Sequence, residues 1–138
     1  RLENWIVPLL KWYSANPHSN QALPKLQPML DATTAKIAAL NDHARQTFRE
    51  CRVAITQAVA QLVKDDVDYI LNKVRKYNHF TPDNDPFSEH DFGSIQLAEN
   101  TIVWKIDYYD LDLHKHSPDP SDPAFTARIL TIMLAEEY

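Results

Sequence analysis

The sequence predicts an α+β domain, a small antiparallel sheet packed with helices. Three observations predict it. Val67, Ile70, Leu71, Val74 and Tyr77 recur at the spacing of one helix face. From Thr101 to Tyr108, Ile102, Trp104, Ile106 and Tyr108 fall on one side of an extended chain, and Val103, Lys105 and Asp107 on the other. Asp122-Pro123 then reads as a helix start, with aspartate as cap and proline in the first turn, ahead of an apolar stretch.

In chain order, residues 1–30 read as an N-terminal appendage and 31–138 as a single α+β domain. Leu2, Trp5, Ile6, Leu9 and Tyr13 suit a short amphipathic helix, and Pro17, Pro24 and Pro28 mark a linker. A helix over about 33–50 should be capped from Asp31 to Thr34 and bury Ile37, Leu40, Ala44 and Phe48. Arg52 to Thr56 reads as a strand. Asp65 and Asp66 suit the start of a helix over about 65–77, and Lys73, Arg75 and Lys76 its C-terminal end. Pro82, Asp83, Asn84, Asp85 and Pro86 make a loop. Strands follow over 92–97 and 101–108, joined by a hairpin at Ala98-Glu99-Asn100. Trp104 should face the core. A last helix is expected over 122–136, with Phe125, Ile129, Ile132 and Met133 on its buried face.

Charge is unevenly placed. From Pro82 to Asp122 there are ten acids and two bases, a balance of −8, while the rest of the chain carries twelve bases and nine acids, +3. An acidic region of this strength repels phosphates, so direct nucleic-acid binding is not expected and a basic protein partner is. No apolar run approaches the ~20 residues of a membrane span. The single cysteine, Cys51, forms no internal disulfide and fits a reducing, cytoplasmic setting. Gly93 is the only glycine, which excludes a glycine-rich phosphate loop.

Several strings resemble a small bacterial family of unknown function, the domain family numbered 3768. They are Ile37-Ala-Ala-Leu-Asn-Asp42, Phe80-Thr-Pro-Asp-Asn-Asp-Pro86, Glu89-His-Asp-Phe-Gly93, Trp104-Lys-Ile-Asp-Tyr-Tyr-Asp110, Ser117-Pro-Asp-Pro120 and the stretch from Arg128 to Tyr138. The resemblance covers about residues 36–138. It implies a short cytoplasmic protein encoded on bacterial chromosomes, plasmids and prophages, and it implies no activity. The segment before Ala32 and the His114-Lys-His116 string depart from the pattern.

Candidate chemistry centres on Glu89, His90 and Asp91, with Asp107, Asp110, His114 and His116 as neighbours. Carboxylates and imidazoles ligate metals and move protons, so a metal-dependent hydrolase using Glu89, His90, Asp91 and Asp107 is one reading. The bland reading is that His90 and Asp91 pin the loop. A nuclease of the restriction type needs an acid-x-Lys strand, and Lys105 is preceded by Val103 and Trp104. Ser94 lacks the Gly-x-Ser-x-Gly turn.

The leading expectation is a non-enzymatic interaction protein without cofactor or bound metal. Its surface would use Asp83, Asp85, Glu89, His90, Asp91, Asp107, Asp110, Asp112 and Asp119, with Trp5 and Trp12 on the arm. Such a surface could mimic DNA or act as an anti-CRISPR-like inhibitor or regulator. A structural subunit that forms a homodimer through the Trp5/Trp12 arm is the remaining alternative.

Overall fold

A computed structural model gives the fold of residues 23–138, with side chains from Gln27 onward. The helical appendage, Trp5 and Trp12 therefore lie outside the described residues.

Helix α1 spans Leu23–Thr47. It starts earlier than the Asp31–Thr34 caps suggested and takes in part of the expected linker. Pro28 lies inside it, so one helical hydrogen bond is not made there. Ile37, Ala38, Asn41, Ala44 and Arg45 are its buried residues. Strand β1 (Arg52–Ile55) follows. Thr56 then caps α2 (Gln57–Val63), its side chain accepting from the Val59 N–H at 3.4 Å. A 3-10 turn at Lys64–Asp66 leads into α3 (Val67–Arg75), which buries Ile70 and Val74. Asp66 stands at the cap position of α3 but makes no side-chain capping bond.

Strands β2 (Phe92–Leu97) and β3 (Asn100–Tyr109) form the expected hairpin. The left-handed residue of its turn is Ala98, with φ 52°, rather than Asn100. Ile102, Trp104, Ile106 and Tyr108 are all buried on the helix-covered face, as the alternation requires. Gly93 sits across from Trp104, and a Cβ there would meet the indole Nε1 at 2.3 Å. That contact explains the one glycine the chain keeps.

The C-terminal stretch is a strand, not the expected helix. Asp122 does cap, accepting from the Ala124 N–H at 2.9 Å, but the turn it starts is only Pro123–Phe125. Strand β4 (Ala127–Leu134) follows, with Arg128, Leu130 and Ile132 directed into the core. Its outward residues, Ala127, Ile129, Thr131 and Met133, are mostly apolar and half-buried or buried, so the period of two is masked and the apolar residues satisfy helical spacing by accident. The β-branched Ile129, Thr131 and Ile132 favour the extended form. A 3-10 turn at Ala135–Glu137 follows it.

The sheet order is β1-β4-β3-β2. β1 runs parallel to β4 and the other pairs are antiparallel, so the sheet is mixed rather than antiparallel throughout. Helices pack on one face. The other face carries Val103, Lys105, Asp107, Ile129, Thr131 and Met133.

Candidate functional site

The 80–91 loop is built around Asp85. Thr81 and Asn84 bond each other's backbone N–H, at 2.9 and 3.3 Å, and the Asn84 amide donates to the His79 carbonyl at 2.7 Å. Asp85 is buried, and one of its oxygens accepts from the backbone N–H groups of Glu89 at 3.2 Å and His90 at 3.3 Å. Ser88 and His90 adopt positive φ, 56° and 57°. Side chains disfavour that conformation by about 1–2 kcal/mol per residue, so the Asp85 bonds hold a loop that would otherwise relax.

This winding turns Glu89 inward. It is 1 % exposed, and its Oε2 accepts from the Tyr108 hydroxyl at 3.0 Å. The Asn41 amide donates to that hydroxyl at 2.7 Å and to the Glu89 carbonyl at 3.0 Å. Arg128 Nε donates to Asn41 Oδ1 at 2.9 Å, and its Nη2 donates to the Pro120 carbonyl. Asn41 comes from α1, Glu89 from the loop, Tyr108 from β3 and Arg128 from β4. Burial, with the Glu89 charge second, pushes the Tyr108 phenol far above its ordinary range. Burial lowers the Arg128 guanidinium, and Tyr108 and Glu89 oppose that shift. Each buried polar group here is a demanding neighbour for the next, which ties the four elements into one geometry.

His90 lies at the edge of this cluster. Its ring stacks on Phe80 with centroids 4.0 Å apart and planes 4° apart. Its Nδ1 lies 3.0 Å from both oxygens of Asp42, which also accepts from Arg45 at 3.2 Å. The Arg45 guanidinium stands over the Phe80 and Trp104 rings at 5.4 and 5.5 Å. The loop is thus pinned, and His90 takes part in the pinning.

The register brings the acidic loops to one end of the sheet. Ile106 donates to the Asp91 carbonyl at 2.8 Å, and Tyr109 pairs with both His116 and Ala127. The start of β2, the end of β3 and the start of β4 therefore share that end. Asp83 and Asp112 are exposed on these loops, and Asp91, Asp110 and Asp119 are half-buried. Asp85 and Glu89, expected at the surface, face inward, because their carboxylates bind the loop's own N–H groups and the Tyr108 hydroxyl. Asp110 accepts from the His114 and Lys115 N–H groups at 2.9 and 3.4 Å, and the His114 bond first of all holds its carboxyl below the usual range. Asp119 accepts from the Ser121 N–H at 3.1 Å and hydroxyl at 2.6 Å.

Asp107 lies on the opposite face of the sheet from Glu89. It pairs with Lys105 at 2.7 Å, and that bond raises the lysine above its ordinary value. Both line a groove of about 630 Å³ with Asp91, Phe92, Tyr109 and Tyr138. Glu89, His90, Asp91 and Asp107 therefore do not converge. Among the described residues no group of three or more His, Cys, Asp and Glu is placed to hold a metal ion. None of the described helices is long and apolar enough to cross a membrane.

Sequence reasoning missed Asn41, Asp42, Arg45 and Arg128. Asn41 to Glu89 spans 48 positions and Asn41 to Arg128 spans 87. No local pattern joins residues so far apart. An arginine at the second position of an otherwise apolar stretch was the one signal available.

These features define an α+β protein whose mixed sheet is locked at one end by a buried polar cluster and rimmed there by acidic turns. The chain belongs to the DUF3768 family of proteins of unknown function, whose model matches residues 55–137. That match begins within β1, so α1 and the Ile37–Asp42 string precede it. No curated protein and no solved structure matches the chain.

Proposed function

We propose that this is a non-catalytic interaction protein that uses its acidic end to engage a basic surface on a nucleic-acid-binding protein. The observation that carries the reading is the convergence of the 80–91 and 110–122 loops at one end of the sheet. The buried Asp85 and Glu89 contacts fix the first loop, and the Asp110 and Asp119 turns fix the second. Exposed Asp83 and Asp112 are then presented on stiff supports, which lowers the ordering cost of binding. Clustered charge of one sign also steers a basic partner toward the site.

The plasmid and prophage setting that the family resemblance implies favours a bacterial defence complex as the partner, with the protein as its inhibitor or regulator. The lone free cysteine suits the cytoplasm, where such a partner would be met. A salt-titrated pull-down of nucleic-acid-binding proteins tests the reading. Retention should fall as ionic strength rises, and Asp83→Asn with Asp112→Asn should weaken it at low salt. Retention that ignores both salt and these substitutions rejects an acidic docking surface.

A further inference from the structure

One edge of the sheet, at β2, carries a second surface of opposite charge. Among the described residues β2 pairs with β3 alone and has no strand on its other side in the sheet order. The bond from Ile106 N–H to the Asp91 carbonyl sets the phase of the ladder. By the alternation of an antiparallel pair, Gly93, Ile95 and Leu97 exchange bonds with β3, and the N–H and C=O groups of Phe92, Ser94 and Gln96 point outward. The edge sequence Phe-Gly-Ser-Ile-Gln-Leu has no proline and no charge. Those are the usual means of blunting an exposed strand.

A groove of about 520 Å³ runs between this edge and α3. Tyr69, Lys73, Lys76, His79, Ser94 and Gln96 line it, over a floor of Tyr77 and Ile95. Lys73 and Lys76 are three residues apart on one side of the helix end. The Lys73 ammonium lies 5.5 Å over the Tyr69 ring, and Tyr69 is half exposed. Among the described residues neither lysine forms an ion pair.

We propose that this groove takes an acidic peptide in extended conformation, added to the sheet beside β2. Its main chain would bond the outward groups of Ser94 and Gln96, and alternate carboxylates would meet Lys73 and Lys76. The strand edge favours a peptide over nucleic acid. A row of alternating N–H and C=O groups spaced for a β-strand matches another polypeptide, whereas phosphates would use the cations alone.

Fluorescence anisotropy with a labelled eight-residue peptide alternating Glu and Val tests the proposal. The wild-type chain should bind it, and Lys73→Glu with Lys76→Glu should weaken binding at least tenfold while the far-ultraviolet circular dichroism stays unchanged. Peptides N-methylated at every second residue should divide by phase, one set losing binding and the other keeping it. Absence of wild-type binding, equal binding by the lysine variant, or indifference to methylation in both phases overturns the proposal. So does displacement of the peptide by single-stranded DNA of equal or better affinity, which would make the groove a nucleic-acid site. The acidic end is untouched in these variants, so its reading stands or falls separately.

Discussion

The helix-covered face of the sheet is built from different chemistry at its two ends. Toward the hairpin, Ile102 and Ile132 join Val59, Val63, Ile70 and Val74 in an apolar cluster. Toward Tyr109, the same face holds Tyr108, Glu89, Asn41 and Arg128, all buried and hydrogen-bonded to one another. The apolar end gains from contact area, tolerates small changes of shape and says little about which loop goes where. The polar end is exacting. Hydrogen bonds join Asn41, Glu89, Tyr108 and Arg128 in one chain, so this end fixes the 80–91 loop against α1, β3 and β4, and with it the placement of the acidic turns. The difference teaches that one core can divide the work, with bulk stability at one end and position at the other.

The comparison breaks most readily at Arg128. Arg128→Ala should lower the unfolding free energy by about 3–5 kcal/mol, because it leaves the Asn41 and Pro120 oxygens buried without their donor and removes the positive charge beside Glu89 and Tyr108. Urea denaturation measures the loss. Ile132→Ala at the apolar end should cost about 2–5 kcal/mol through the cavity it leaves, yet leave the His90 and Tyr108 nuclear magnetic resonance shifts near their wild-type positions. If Ile132→Ala moves those shifts as far as Arg128→Ala does, the division between the ends is not real.

Tyr108→Phe should cost about 1–3 kcal/mol, the range for stranding buried hydrogen-bonding groups. It should also speed amide exchange in the 85–90 loop more than in α3. Uniform acceleration across both would mean that the polar end does no special positioning.

The smallest effect belongs to Asp110 at the rim. Its carboxyl is held below the ordinary range in the folded chain, so its stabilising contribution is full above the usual aspartate pKa and is lost as pH falls through the lower folded value. Melting curves of the wild type and Asp110→Asn should differ slightly at neutral pH and converge in acid. A gap that widens in acid would reverse the sign of the assignment.

Much of the apolar end is legible in the sequence. The stripe from Val67 to Tyr77 and the alternation of β3 each follow one periodicity, and the buried residues in both are the ones the pattern selects. The C-terminal stretch reads as a helix because the outward face of β4, Ala127, Ile129, Thr131 and Met133, is nearly as apolar as its inward face and hides the period of two. The polar end was not legible, since its members meet only after four separate elements have packed. Even Asp85 and Glu89, singled out for charge, gave no sequence sign that they would turn inward.

The strand order carries a further consequence for how the chain matures. β4 stands between β1 and β3, yet of the four described strands it is the last to leave the ribosome. A nascent chain that has emerged only as far as Tyr109 can hold the β2–β3 hairpin, but the β4 partner of both β3 and β1 has yet to be made. Native assembly must wait for a segment more than 70 residues downstream of β1, and slow, late closure of this kind leaves sticky intermediates. Chaperone demand during synthesis, rather than fragility once folded, is where this topology should be felt.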